Sequence, residues 1–502
     1  MPSKIFEKVN FKKPRYSAFD LSREQKLSCR FGQLIPTYLD EIVPGDQFNV
    51  RTETLVRLAP MIAPVMHRVN VFMHYFYVPN RIIWSQWEDF ITGGQNGETN
   101  PVFPTNNITR ASFRNSKLAD YLGVPIQQLS TFDENGPVAS MLPFRAYQKI
   151  WNEYFRDPNL HQELDVNSAA ATELVQLKYR CWEKDYFTSS LPFAQRGEEV
   201  GVPIDLEYQD VSTVTTIGGG DPGTGNVQTG LTPDRQTLRD NSGDALRIEN
   251  LVADKLDFSI NDLRKSSAIQ RWLERAARGG YRYVETLMSQ FGVKSDDARL
   301  QRPEYLGGGK QPITISEVLN TTGTENAPQG DMSGHGVSTG TTNSFKKTFK
   351  EHGYVMGILS VLPKTAYQQG LPRHFSRQDK FDYYWPEFAD LGEQEVKRKE
   401  LYLSDDQEIN EQTFGYQQRY AEYKYGQSTV HGDFKESSLD FWHMGRKFST
   451  NPNLNTAFVE YPSDGPDQRA FAVEGEDNLW IQLYHNVKAR RPMPFFADPK
   501  LT

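Results

Sequence analysis

Four segments with strand patterning lie towards the two ends of this chain, and nearly three hundred residues separate the second from the third. In 46–58, Phe48, Val50, Thr52, Thr54, Val56 and Leu58 share one face, while Gln47, Asn49, Arg51, Glu53 and Arg57 share the other. That period of two marks a half-buried strand. Pro60 and Pro64 break the run, and 69–78 is then apolar or aromatic on both faces up to Pro79, as in a more deeply buried strand. Residues 354–362, stopped by Pro363, and 479–487 read likewise, the latter with His485 among Leu479, Ile481, Leu483 and Val487. Strands so distant in sequence that must bury their faces together imply one sheet system, a mainly β antiparallel sandwich of Greek-key type carrying long connections.

The connections have patterns of their own. After Pro143, suited to a first helical turn, Ala146, Ile150, Trp151, Tyr154 and Phe155 recur at helical spacing. Ser259 and Asp262 form a capping signal before a stripe of Ile269, Trp272, Leu273 and Ala276. Gly279 and Gly280 interrupt that stripe, and Tyr283, Val284, Leu287, Met288 and Phe291 resume it until Gly292. Both helices are expected to pack their stripes onto the sandwich. Residues 217–230 hold six glycines and 321–343 hold five, so both are expected as loops, the first within a surface excursion over 205–250.

A length of 502 residues exceeds the ~150 of an ordinary domain, yet a sandwich with long insertions absorbs it as one body. Hydrophobic residues reach only 37% while aromatics reach 12%. Rings supply contact area on half-wet surfaces, so much of the burial is expected between subunits; carbohydrate binding would give the same bias. No apolar run approaches the ~20 residues of a membrane helix, and the start, MPSKIFEKVNFKKPRYSAF, lacks the apolar stretch of a secretory signal. Two cysteines, Cys29 and Cys181, provide neither a disulfide framework nor a four-thiolate zinc site, which suits a reducing compartment. The formal charge is -8, but residues 1–30 sum to +5 and 486–502 to +3. An acidic body with basic ends is no general nucleic-acid binder, but its ends can touch phosphate.

Catalytic motifs are weak or missing. Gly218, Gly220 and Gly223 fit G-x-G-x-x-G, but Pro222 and the residues after it offer no helix to receive a pyrophosphate. Ser344 and Lys347 fit S-x-x-K without its partner motifs. His67 and His74 are not at the i, i+4 spacing of a helical zinc pair. Carboxylates such as those of SDDQE from Ser404 are plentiful, and a sandwich hydrolase would need two of them across a cleft. No enzyme activity, cofactor or metal is expected. At the N-terminus, Lys4, Lys8, Lys12, Lys13 and Arg15 interleave with Phe6, Phe11 and Tyr16, a pattern that suits single-stranded nucleic acid and equally an arm crossing a neighbouring subunit. Lys488, Arg490 and Arg491 near the C-terminus invite the same two readings.

Several long motifs carry a resemblance: LIPTYLDEIVPGDQF from Leu34, APMIAPVMHRVNVFMHYFYVPNRIIW from Ala59, PFRAYQKIWNEYFRD from Pro143, YFTSSLPFAQRG from Tyr186 and QLYHNVKARRPMP from Gln482. Through nearly its whole length the chain resembles the major capsid protein of microviruses, and within them the gokushovirus branch. The resemblance is weakest at about 205–250 and 321–343. It implies an eight-stranded jelly roll with long helix- and loop-containing insertions, filling residues 1–502 as one domain with a basic arm at 1–30 and a basic tail at 486–502. It also implies a sixty-copy T=1 shell around circular single-stranded DNA of a bacteriophage, assembled in the host bacterial cytoplasm. A small basic DNA-binding capsid protein, a host cell surface receptor and the homo-oligomer itself are the implied partners, without membrane insertion. The 205–250 insertion becomes the candidate protrusion of the virion surface. The rival readings are a β-sandwich carbohydrate-active hydrolase and a single-stranded DNA-binding protein that forms no shell.

Overall fold

The computed structural model describes residues 15–94, 98–108, 110–125, 136–194, 214–216, 228–232, 235–239, 246–248, 260–279, 288–289, 301–319, 321, 332–473 and 475–496. Two compact units partition the chain, one of residues 1–194 with 279–502 and one of 195–278.

The larger unit is built on an antiparallel sheet of nine strands. These are β1 (Ser17–Asp20), β2 (Arg23–Cys29), β3 (Ile35–Ile42), β4 (Gln47–Leu58), β5 (Val69–Pro79), β6 (Glu304–Leu319), β7 (Met332–Thr348), β8 (Gly353–Pro363) and β9 (Leu479–Arg491). The hydrogen-bonded order is β1–β9–β4–β7–β6–β5–β8–β3, with β2 also on β9. The edge is one line broken in two: β2 pairs with residues 479–485 of β9 and β1 with 488–491. At the break, Ser22 Oγ accepts from the Val487 amide at 3.1 Å.

The sheet curls because its two longest strands change partner midway. Residues 304–313 of β6 pair with β5 and 314–319 with β7, while 332–337 of β7 pair with β6 and 337–348 with β4. Each half-strand follows a different neighbour, so the β9–β4 half folds over the β5–β8–β3 half and closes a jelly-roll-like sandwich. Between the halves lie Val50, Val56, Leu483 and Val487 from one side and Val71, Met73, Tyr75, Leu359 and Val361 from the other. The same core holds a polar join: Thr52 Oγ1 meets His485 Nδ1 at 2.8 Å and also the Tyr75 hydroxyl. His485 is fully buried, and burial pulls its pKa down to about 4.

Insertions explain why β5 is apolar on both faces. Val71, Met73 and Tyr75 face the sandwich, whereas Phe76 and Val78 join Phe144, Tyr147 and Ile150 of helix α1 (Leu142–Ile150) in a second core. The helical pattern that points on to Phe155 does not continue as α-helix. Residues Trp151–Phe155 form a π turn, closed by the Arg156 amide on the Trp151 carbonyl at 2.9 Å. Asn152 fixes this wider turn by exchanging hydrogen bonds with the Leu164 backbone. A third core gathers Tyr186, Phe187, Tyr367, Val396, Phe414 and Phe458, around the strand pair Glu393–Lys397 and Thr413–Gln418.

One loop expectation is overturned. Residues 332–343 belong to β7, and their glycines serve close approach: a Cβ on Gly336 would lie 2.4 Å from a Leu58 methyl, and one on Gly340 would overlap the Gln311 amide. Strand β6 hid behind Gly307–Gly309 and Pro312. Gly307, at φ +148°, sits at the register shift against β5, a place where a bulge tolerates glycine.

The unit of 195–278 contains the strand pairs Val214–Thr216 with Leu246–Ile248 and Gln228–Thr232 with Arg235–Arg239. The helix Ile260–Gly279 (α2) follows. Most of the expected 205–250 excursion, and Gly218, Gly220 and Gly223, lie outside the described residues. On α2, Ile269 and Trp272 are 40% and 54% exposed.

Candidate interaction surfaces

Alternation along β9 sends Leu479, Ile481, Leu483, His485, Val487 and Ala489 inward and Trp480, Gln482, Tyr484, Lys488 and Arg490 outward. Each basic residue of its last turns then meets a different fate. Arg491 bonds Asp46, fully buried, at 2.8 Å, and its Nη2 donates to the Glu41 carbonyl at 2.8 Å. Its charge is spent on fixing the strand end to the β3–β4 corner. Lys488 pairs with Asp20 of β1, an ion pair exposed on both sides and therefore weak. Arg490 lies 5.1 Å over the Tyr16 ring, and neither it nor Arg15 has a carboxylate partner among the described residues. Lys4, Lys8, Lys12 and Lys13 lie outside the described residues.

Sheet register extends this patch. Trp480 stands opposite Arg57 of β4 and Ser28 of β2, Gln482 opposite Leu55 and Lys26, and Asn486 opposite Arg51. On the far side Ser344 faces Arg51 and Lys346 faces Asn49. The outward face thus sets Lys26, Arg51, Arg57, Lys346, Lys488 and Arg490 around Trp480, 49% exposed, and Tyr484, with Glu24 and Glu53 beside Tyr484. The alternation of β4 had already placed Arg51 and Arg57 outward; their assembly with the others into one surface needed the pairing of β9 with β4.

Several of the carboxylates are engaged structurally. The SDDQE run caps the helix Gln407–Glu411, with Asp406 accepting from the Glu408 amide at 2.9 Å. Buried Glu400 takes the Tyr186 hydroxyl at 2.9 Å and Arg373 at 3.1 Å. Buried Asp467 takes the Tyr461 hydroxyl and Asn478. Ser344 and Lys347 stand on strand β7, where Lys347 pairs with Glu304. Among the described residues no cluster of histidine, cysteine and carboxylate fits a metal ion, and both cysteines are free thiols.

A cavity of about 500 Å³ opens beside the start of β5, lined by His67, Arg68, Asn70, Lys310, Lys364, residues 428–431, Phe434, Trp442 and His443. Two of its histidines are structural. His67 Nε2 bonds the Lys364 carbonyl at 2.6 Å, and burial lowers its pKa to about 4. His443 accepts the Gly445 amide on Nδ1 and donates Nε2–H to the Phe434 carbonyl at 2.7 Å, which fixes its neutral tautomer.

Another surface bears rings without cover. Phe375 is 67% exposed, and Phe381, Tyr383, Tyr384, Tyr423 and Tyr425 are each half exposed. Exposed apolar area on this scale marks contact with another molecule.

The family model described as capsid protein (F protein) matches residues 8–501. The chain is 34% identical to the capsid protein VP1 of Chlamydia phage 1 across 97% of its own length and 96% of that protein's. It is 36% identical to the capsid protein VP1 of Bdellovibrio phage phiMH2K, across 96% and 95% of the two lengths. To the capsid protein VP1 of Spiroplasma virus 4 it is 32% identical, across 94% and 92%.

Proposed function

This chain belongs to the capsid protein (F protein) family of bacteriophages, and from that premise we propose that it closes as a sixty-copy T=1 shell around circular single-stranded DNA. It is a structural protein and not an enzyme. The observation that carries the reading is end-to-end likeness to capsid proteins, over 94–97% of the chain. The uncovered rings of 375–425 support it, because repeated contacts between copies are what would cover them.

The genome contact in this reading falls to the basic ends: Lys4, Lys8, Lys12, Lys13 and Arg15 of the arm with Lys488 and Arg490, while Arg491 positions the strand through Asp46. Trp480 and Tyr484 add stacking surfaces beside cations, the combination that binds unpaired bases. A small basic capsid protein shares the neutralisation, which fits a chain of charge -8. The 205–250 insertion faces outward and meets the host cell surface, and assembly takes place in the host cytoplasm.

Electron microscopy of particles formed by the expressed chain tests the shell; a chain that stays monomeric at high concentration would refute it. Replacing the five arm cations by glutamine should lower nuclease-protected DNA per particle and make its retention less dependent on salt. Unchanged DNA content would remove the arm from the genome contact, and normal adsorption after shortening 205–250 would remove the receptor role.

A further inference from the structure

The cavity beside β5 has the chemistry of a peptide socket. Arg68, Lys310 and Lys364 line it, and no acidic side chain does. Glu183 pairs with Lys310 at 2.6 Å and approaches Lys364 at 3.7 Å, which leaves the socket a net cationic mouth. Asn70, only 1% exposed, lines it with neither amide nitrogen nor amide oxygen hydrogen-bonded. A carboxamide offers a donor beside an acceptor, the complement of a main-chain peptide unit, and buried polar groups are rarely left without partners. Trp442 and Phe434 give the wall an aromatic side. The fitting occupant is therefore an acidic, ring-bearing peptide segment.

The chain displays one such segment. Residues 379–391 (DKFDYYWPEFADL) carry Asp379, Asp382, Glu387 and Asp390 against a single cation, Lys380. Phe381, Tyr383 and Tyr384 are 50–53% exposed. Two short 3₁₀ turns, Lys380–Asp382 and Pro386–Phe388, shape the segment, and the Trp385 indole N–H holds it by donating to the Lys380 carbonyl at 2.8 Å. Asp382 is occupied with the backbone amides of Gln378 and Asp379, while Glu387 and Asp390 have no cationic partner among the described residues. None of these residues lines the socket of its own copy.

We propose that segment 379–391 of one copy seats in the Arg68–Asn70–Lys364 cavity of the next. Two different patches then meet head to tail, the kind of contact that generates closed rings about a symmetry axis, and opposite charges fix which face meets which. The contact rests on the shell reading and deepens it by naming the two faces.

Charge reversal tests it. Arg68→Glu with Lys364→Glu should lower particle yield by about tenfold or more, and adding Glu387→Lys with Asp390→Lys should restore most of it. Assembly of the cavity variant at the unaltered yield would overturn the contact. So would a quadruple variant that fails to assemble although its subunit matches the unaltered one by circular dichroism. A benzoylphenylalanine at position 381 of otherwise native particles gives a reading that does not depend on the variants' folding. Crosslinks to peptides containing 66–68 or 428–443 of a second copy are expected, and crosslinks confined to other peptides or to DNA would overturn the contact. A short single-stranded oligodeoxynucleotide that binds free subunits through Arg68 and Lys364, while the cavity variant assembles normally, would give the site to nucleic acid. If the unaltered chain forms no particles, the shell reading fails, and this contact with it.

Discussion

The sandwich core and the 373–425 surface are built from similar residues with opposite fates. In the core, Tyr38, Tyr75 and Phe48 are at most 2% exposed, and the buried His485 bonds Thr52 through Nδ1. On the surface, Phe375, Tyr384 and Tyr425 stand half or more in solvent, above a small core of their own. The first region finishes its burial within one chain, because β6 and β7 carry one half of the sheet over the other. The second has no such partner in the subunit. Stability of the subunit and cohesion of the shell should therefore respond to different substitutions.

The largest expected loss of subunit stability is in the core. Leu483→Ala removes a fully buried side chain and should cost about 2–5 kcal/mol, read as a lower denaturation midpoint. A cost below that of an exposed leucine such as Leu403→Ala would break the comparison. Next, Asp46→Asn leaves Arg491 facing a neutral amide at the β3–β4 corner; since breaking a buried pair strands its partner, about 2–3 kcal/mol should be lost. An unchanged melting temperature would mean that the pair only decorates the strand end.

Acid should act on the core in the same way. His485 is held neutral in the fold with a pKa near 4, against roughly 6.5 in an unfolded chain. The unfolded state then binds the proton first as pH falls. Stability contributed by the neutral form is complete above about pH 6.5, declines through that window and is lost below about pH 4, by roughly 3 kcal/mol. Denaturation midpoints measured between pH 7 and 4 should fall, and His485→Gln should flatten the slope. A profile of equal slope in that variant would assign the acid sensitivity to His67 or His74, whose pKa values burial also lowers to about 4.

The smallest effect on the subunit is expected at the surface. Tyr384→Ser should change subunit stability by no more than about 0.5 kcal/mol, yet reduce the fraction of chain recovered in particles by sedimentation. If the subunit melts early and particles form normally, the assignment of burial to the two regions is reversed.

The sequence made the alternating strands legible. The periods of β4 and β9, and the double-sided apolarity of β5 and β8, fall where the sheet has them, with His485 inside it. Strands β6 and β7 were hidden because Gly307–Gly309, Pro312 and the glycines of 334–340 carry the marks of a loop. In the fold Gly308, Gly334, Gly336 and Gly340 admit neighbouring backbone and side chains too closely for a Cβ. Of the basic residues near the C-terminus, composition treated Lys488, Arg490 and Arg491 alike. Only Asp46, more than four hundred residues away in sequence, separates Arg491 from the others. Residues 373–425 offered no period to read, so the aromatic surface was not visible in them; nor was the socket, which forms only where Lys364 and residues 428–431 meet Arg68 and Asn70 at the start of β5.

Local pattern decided which residues could be strand, which face of each would be greasy, and that the two ends of the chain had to meet. Those choices depend on side chains one to four positions apart, which the order of residues states directly. Tertiary structure alone decided which strands became neighbours, where β6 and β7 changed partner, which charges were consumed by pairing and which rings stayed wet. Each of those outcomes depends on distances between residues hundreds of positions apart, and such distances exist only once the chain has closed on itself.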